Sequence, residues 1–188
     1  MPSKPVTPPS AVYVLKITLK GVRPPIWRRL LVPDNVTLAR LHLMIQATMG
    51  WENAHMHEFD IGGLRYGEPS LDSYIAVKDE KKFRLVEVAA KTKVKFRYTY
   101  DFGDGWEHEI EVEEIQAVDP EQKLPRCIKG KRACPPEHIG GAWGYQALLE
   151  AKAKPTHPER KNFERYIETY NPDAFDLDMV NQKLAKIK

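Results

Sequence analysis

The chain has 188 residues, enough for one domain with a sizeable hydrophobic core. It carries 29 lysines and arginines against 26 aspartates and glutamates, and a net charge of +3 excludes a polyanion binder that works by bulk charge. With 42% hydrophobic and 29% charged residues, the composition excludes wholesale disorder. We predict a flexible Pro-rich arm over residues 1–10 and a single domain over residues 11–188.

Simple counts exclude membrane-spanning and disulfide-rich proteins. No apolar run approaches the ~20 residues needed to cross a membrane, and residues 1–10 lack the apolar region of a signal peptide. Two cysteines, Cys127 and Cys134, are too few for a disulfide scaffold, and with His138 they still lack a fourth zinc ligand. We therefore predict a cytoplasmic protein whose thiols are reduced and bind no metal.

The first ninety residues contain clear patterns for three strands and one helix, followed by one stretch without a clear pattern. Apolar and polar residues alternate from residue 11 to residue 20, and Gly21 interrupts them. Thr37 is a good N-cap and Gly50 a good C-cap for a helix between them. We predict strands over 11–20, 26–32 and 56–61, a helix over 38–49, and an irregular stretch over 64–90 with a short strand or helical turn at 83–88.

The strongest local signal lies between residues 91 and 115. Apolar residues alternate with lysine and arginine before the turn-rich Asp101–Gly105 and with glutamate after it. If Tyr100 faces Trp106, apolar side chains stack on one face of a hairpin and opposite charges meet on the other. Each such pair is worth up to ~1 kcal/mol. The predicted pairs are Tyr98–His108, Phe96–Ile110, Val94–Val112, Arg97–Glu109, Lys95–Glu111 and Lys93–Glu113.

The last third of the chain reads as one short strand followed by helices. The strand is expected over 126–129, and the helices over 143–153, 159–168 and 177–187, the last with Asp176 as its N-cap. The fold class is therefore α+β. It consists of an antiparallel sheet that can be strongly curved, one helix after the first hairpin, and a helical C-terminal segment over 143–188.

Several motifs follow one another in a fixed order between Val12 and Leu184. They are Ile26-Trp27-Arg28-Arg29, Leu41-His42, Gly50-Trp51, His55-Met-His57-Glu-Phe59, Tyr100-Asp-Phe-Gly-Asp104-Gly-Trp-Glu-His108, Pro135-Pro-Glu137, Gly140-Gly141 and Gly144-Tyr145. With these motifs the chain resembles the plasmid pRiA4b open-reading-frame-three-like family, found on plasmids and as a passenger of transposable elements. The resemblance implies an accessory protein of mobile genetic elements. His138 departs from the family pattern, in which an acidic residue follows Pro-Pro-Glu.

Histidine and aspartate side chains supply the strongest candidate for a metal or acid–base site, because both suit a divalent cation such as Zn²⁺. His55 and His57 are two residues apart, so their side chains would point to the same side of a strand. The alternative is structural: the aspartates accept turn N–H groups, and the last histidine points inward beside Tyr98, bonded to a carboxylate or to the Tyr98 hydroxyl. The candidates are His55, His57, Asp101, Asp104 and His108.

Tryptophans and arginines supply two further candidate sites. Trp51, Trp106 and Trp143 either line an aromatic pocket or belong to the core. Residues 1–50 hold seven basic side chains and one acidic one, so their arginines, with Trp27, either contact phosphates and stack bases or pair with the acidic 101–121 region. The candidate anion contacts are Arg23, Arg28, Arg29 and Arg40.

Two functions are compatible with these residues. The first is a non-catalytic binding or accessory module for a protein or nucleic-acid partner, without a cofactor. The alternative is a metal-dependent, hydrolase-like enzyme that uses the histidine and aspartate cluster with a divalent cation. Convergence of the five candidate ligands on one point would favour the enzyme.

Overall fold

The computed structural model describes residues 8–69 and 77–187, and its centre is one eight-stranded sheet. The strands are β1 (Val12–Leu19), β2 (Ile26–Pro33), β3 (His57–Ile61), β4 (Leu64–Gly67), β5 (Lys78–Asp79), β6 (Lys95–Tyr100), β7 (Trp106–Gln116) and β8 (Arg126–Lys131). Their order across the sheet is β5-β4-β3-β6-β7-β1-β2-β8. Every pairing is antiparallel except that of β4 with β5.

Five helices in the described part of the chain accompany the sheet, and together they confirm the α+β class. They are α1 (Leu38–Met49), α2 (Leu85–Val88), α3 (Gly141–Ala153), α4 (Glu164–Ile167) and α5 (Leu177–Leu184). The predicted bounds of α1 are confirmed, since the Thr37 side chain accepts from the Arg40 N–H and Gly50 ends the helix at φ 89°. Asp176 caps α5 as predicted. The helix expected over 159–168 is a 3₁₀ turn, Arg160–Phe163, followed by α4.

One face of the sheet carries the main core, and α1 and α5 cover it. Leu15 and Ile17 of β1, like Phe59 of β3, are fully buried there against Leu41 and Ile45 of α1. The opposite face is largely charged, apart from a small buried apolar cluster of Val12, Val14 and Leu31. Because side chains alternate along each strand, one apolar row per strand is enough to build the main core.

The predicted β6–β7 register is confirmed, but two of the predicted charge pairs are wrong. Tyr100 lies opposite Trp106 and Tyr98 opposite His108. Lys95 binds both Glu109 and Glu111, whereas Arg97 turns to Asp60 of β3 and Glu113 turns to Arg29 of β2. Both strands lie inside the sheet, so oppositely charged side chains on β3 and β2 compete with those across the hairpin. In the backbone register, Phe96 lies opposite Ile110, Arg97 opposite Glu109 and Lys95 opposite Glu111. The Val112 N–H donates to the Val94 carbonyl.

The stretch expected to be irregular contains β4, β5 and α2. The two-residue turn Gly62-Gly63, with φ of 59° and 78°, joins β3 to β4 as a hairpin. The helical turn expected at 83–88 is confirmed as α2. Residues 70–76 of this stretch and residues 1–7 of the predicted arm lie outside the described residues.

The outer edge of β8 is covered by a side chain of α5. The Asn181 amide donates to the Cys127 carbonyl (2.9 Å) and accepts from the Cys127 N–H (2.8 Å), as a neighbouring strand would. This blocks edge-to-edge pairing at that point. In the described part of the chain, none of the helices has the length and hydropathy of a membrane span.

Candidate functional site

Four loops meet at one end of the sheet, and most of the motifs quoted above lie there. The turn after β1 touches the start of β7, because the Lys20 N–H donates to the Glu107 carbonyl (2.8 Å). The Asp101 N–H donates to the Met56 carbonyl (2.9 Å), and Trp51 Nε1 donates to the Pro135 carbonyl (3.0 Å). Residues far apart in the chain therefore form one continuous surface at this end, where loops can carry function.

His108 lies in the core, so its ring cannot bind a metal ion or ligand that arrives from solvent. Its side chain is 0% exposed, and Nδ1 donates to the Tyr98 carbonyl (3.3 Å). Burial lowers the pKa of His108 to about 4, so the ring is neutral at pH 7. The predicted inward position is confirmed. The predicted partner is wrong, because Nδ1 donates to the Tyr98 backbone carbonyl, while the Tyr98 hydroxyl bonds to His42 and Gln46.

His57 belongs to a different cluster from His55. Its Nε2 donates to the buried Glu80 carboxylate (2.8 Å), and its ring stacks on His42 with 3.4 Å between centroids. The expectation that His55 and His57 share one side of a strand is wrong, because β3 begins only at His57. Glu80 lies 23 residues further along the chain, so spacing alone could not reveal this pair.

His42 is a buried histidine that is not among the candidate site residues predicted from the sequence. The Tyr98 hydroxyl accepts from Gln46 Nε2 (3.0 Å) and donates to His42 Nδ1 (2.7 Å), and His42 Nε2 donates to Asn53 Oδ1 (2.6 Å). Burial and the nearby His57 lower the pKa of His42 to about 3. The hydrogen bonds therefore hold a neutral ring, and the network joins α1 to β6. Only its Leu41-His42 motif could have marked it.

Asp101 organises the hairpin turn, as predicted. Its Oδ1 accepts from the N–H groups of Gly103 (2.9 Å) and Asp104 (3.3 Å), while its Oδ2 lies 3.5 Å from His55 Nε2. The His138 ring lies 4.9 Å from the His55 ring, centroid to centroid. Within residues 8–69 and 77–187, no group of three or more His, Cys, Asp or Glu side chains is placed to hold one metal ion. The five predicted ligands thus divide among three places.

The three predicted pocket tryptophans do not line one pocket. Trp51 and Trp106 are 8% and 1% exposed, and their rings pack in the core with 5.7 Å between centroids. Trp143, in the first turn of α3, is 89% exposed. Sequence spacing could not separate them, because exposure of an aromatic residue depends on which elements pack over it.

Two of the four candidate anion contacts are used inside the fold. Arg28 is 2% exposed and its guanidinium donates to backbone carbonyls, so the expectation of a phosphate contact is wrong for it. Arg29 forms a bidentate pair with Glu113 at 2.5 and 2.8 Å, which confirms the alternative pairing with the acidic strand. Arg23 and Arg40 are exposed.

Cys127 and Cys134 form no disulfide and are free thiols in the structure. Burial raises the pKa of Cys134 to about 11 and also raises the pKa of Cys127, so both stay protonated at neutral pH. Cys134 Sγ lies 3.0 Å from Met49 Sδ. A thiol in these surroundings is a poor nucleophile and a poor metal ligand.

A cleft of about 1050 Å³ lies between the turn after β1 and the start of α3. We call it the Trp143 cleft: residues 18–25 form one wall, and Ala142, Trp143 and Gln146 form the other. Lys20 and Arg23 are its charged lining residues, and none of the described residues that line it is acidic. One predicted aromatic and one predicted arginine therefore meet in the same cleft.

Gly141 fixes the wall that carries Trp143. At φ 66° its backbone lies directly against the Asp104 carbonyl oxygen at the hairpin tip, where a Cβ would clash. We expect Gly141→Ala to lower the free energy of unfolding by about 2–4 kcal/mol, from backbone strain plus overpacking. The matched control is Gly62→Ala, at φ 59° with nothing within 4 Å, which should cost about 1 kcal/mol. Equal losses in urea denaturation would contradict the contact with Asp104.

Comparison with known proteins gives consistent results. The family model for plasmid pRiA4b ORF-3-like proteins matches residues 11–179. The uncharacterised protein y4hQ of Sinorhizobium fredii (strain NBRC 101917 / NGR234) is 41% identical over 162 residues, which cover 85% of this chain and 79% of that protein. The crystal structure of MM3350, a protein of unknown function from Methanosarcina mazei Go1, matches with a TM-score of 0.80 and 35% identity. The match covers 90% of this chain and 97% of that one.

Proposed function

The chain belongs to the plasmid pRiA4b ORF-3-like family, and we propose that it is a non-catalytic binding module that takes an anionic polymer in the Trp143 cleft. The observation that carries the proposal is the lining of that cleft, in which Lys20 and Arg23 are unopposed by any acidic lining residue among the described ones. Charge of one sign in a concave surface attracts partners of the other sign.

Arg23 and Lys20 differ in whether an acidic side chain lies close to them. Arg23 has no ion-pair partner among the described residues, and its side chain is exposed. Lys20 Nζ lies 4.0 Å from Glu109, a contact between two solvent-exposed groups. Such surface pairs contribute little and are screened by salt, so Lys20 can exchange Glu109 for a ligand anion at small cost.

The state of the other reactive groups supports binding over catalysis. His108 and His42 are buried and neutral, His57 is bonded to Glu80, and the Cys134 thiol is protonated. Each of these groups is engaged in the core or held in an inactive form. The plasmid in the family's name supports placing this module beside mobile genetic elements, where nucleic acids are the abundant anionic polymers.

Binding of fluorescent anionic polymers to the full chain tests the proposal. The probes are a single-stranded oligothymidylate and poly-glutamate, followed by anisotropy between about 50 and 200 mM salt, a range over which several ionic contacts weaken strongly. We expect at least one probe to bind, and Arg23→Glu to weaken that binding about tenfold. Arg40→Glu is the control, because it makes the same charge change at an exposed position of α1 outside the cleft. Binding of neither probe, or equal effects of the two variants, would overturn the proposal.

A further inference from the structure

Trp143 is exposed to an extent that packing does not explain. At 89% exposure it is the most exposed large hydrophobic side chain among the described residues, whereas the Trp51 and Trp106 rings are buried. Leaving an indole ring in water forfeits the stabilisation that burial would give. A ring presented in this way at the wall of a cleft is typical of a contact surface for a flat partner.

The backbone beneath Trp143 is closely packed. Gly141 lies against the Asp104 carbonyl, and Gly144 lies against the Ile139 carbonyl so closely that neither position leaves room for a Cβ. The first turn of α3 is therefore clamped on both sides of Trp143. A platform that is already ordered loses little conformational entropy when a ligand stacks on it.

We infer that the occupant of the Trp143 cleft is a single strand of nucleic acid, with a base stacked on Trp143 and phosphates beside Lys20 and Arg23. This inference rests on the proposed function, since it specifies which anionic polymer the cleft takes. The two features of the cleft, an open aromatic face and nearby cations, are the two that single-strand binding requires. Leu19 and Val22 supply an apolar floor between them.

Other anionic polymers satisfy only part of this chemistry. A poly-glutamate chain offers carboxylates to Lys20 and Arg23 but has no flat ring for Trp143. A DNA duplex offers phosphates, but its base faces are covered by their neighbours in the stack. Only a single strand presents negative charge and accessible base faces together.

The decisive experiment compares three probes with three proteins. The probes are oligothymidylate, a duplex of the same length and poly-glutamate, and the proteins are wild type, Trp143→Ala and Trp143→Phe. One stacked base is worth about 1–3 kcal/mol. We therefore expect Trp143→Ala to weaken oligothymidylate binding about 5- to 150-fold, with poly-glutamate binding changed less than about twofold. Trp143→Phe should restore most of the single-strand affinity, because phenylalanine keeps an aromatic face.

The outcomes separate the two levels of the proposal. Wild type that binds no probe overturns the proposed function itself. Wild type that binds the single strand, with Trp143→Ala unchanged or the duplex bound equally well, overturns this inference and leaves the proposed function standing. Because Trp143 is so exposed, both variants should keep the wild-type melting temperature, and this confirms that a loss of binding is not a loss of fold.

Discussion

We expect acidification from pH 6.5 to pH 4 to destabilise the protein steeply, because His42 and His108 are held neutral in the fold. Their pKa values are lowered from 6.5 to about 3 and about 4, mainly by burial. Between those values and 6.5 the unfolded chain binds protons that the folded chain does not. Stability is therefore complete above pH 6.5 and is lost as the pH falls, by up to about 1.4 kcal/mol per pH unit for each histidine.

Urea denaturation at several pH values between 7 and 4.5 measures this slope. Replacing His108 by leucine removes one of the two groups, so we expect the slope to fall to about half. His138→Asn is the control: His138 is exposed at φ 59°, a conformation that asparagine tolerates, so the slope should stay at the wild-type value. A wild-type stability that stays flat over this range would contradict the neutral state of both histidines.

The elements that could be predicted from sequence are those fixed by neighbouring residues. Thr37 and Gly50 bound α1 because capping depends on groups within one turn of the helix. The β6–β7 register followed from Tyr100 and Trp106, since a short turn and a two-residue alternation allow one arrangement. Local signals of this kind survive folding because the tertiary structure does not compete with them.

Side-chain partners were predicted less well, because they depend on strand order. Arg97 faces Glu109 across the hairpin, yet it binds Asp60, which β3 brings from the other side. Glu113 likewise binds Arg29 of β2, although β1 lies between β7 and β2 in the sheet. No spacing within the hairpin indicates which strands will lie beside it.

In the candidate site, too, the residue types could be predicted from the sequence but their exposure could not. The residue types were recognised, since Arg23 and Trp143 were both candidates for contacts with a ligand. What the sequence could not show is that they share a cleft while Arg28 and Trp106 are buried. Exposure is set by long-range packing, and the contact between Gly141 and Asp104 that places Trp143 joins residues 37 positions apart.

Arg28 is the residue whose loss we expect to cost most in stability. Its Nε donates to the Thr48 carbonyl (2.9 Å), and Nη1 donates to Trp27 (2.8 Å) and Lys131 (3.0 Å). Nη2 donates to the Arg132 carbonyl (2.8 Å). One guanidinium therefore ties the end of α1, β2 and the end of β8 together. Arg28→Leu leaves these carbonyls without donors in a dry interior, and we expect a loss of about 3–5 kcal/mol.

Two further substitutions identify the cause of that loss. Arg28→Lys keeps the positive charge but replaces the flat five-donor fork with a single ammonium group, so we expect it to recover only a minor part of the stability. Arg40→Leu removes an exposed arginine and should change stability by no more than about 0.5 kcal/mol. Thermal or urea denaturation of the three variants measures the differences. An Arg28→Lys variant as stable as wild type would mean that charge alone, and not the fork of hydrogen bonds, holds these three elements together.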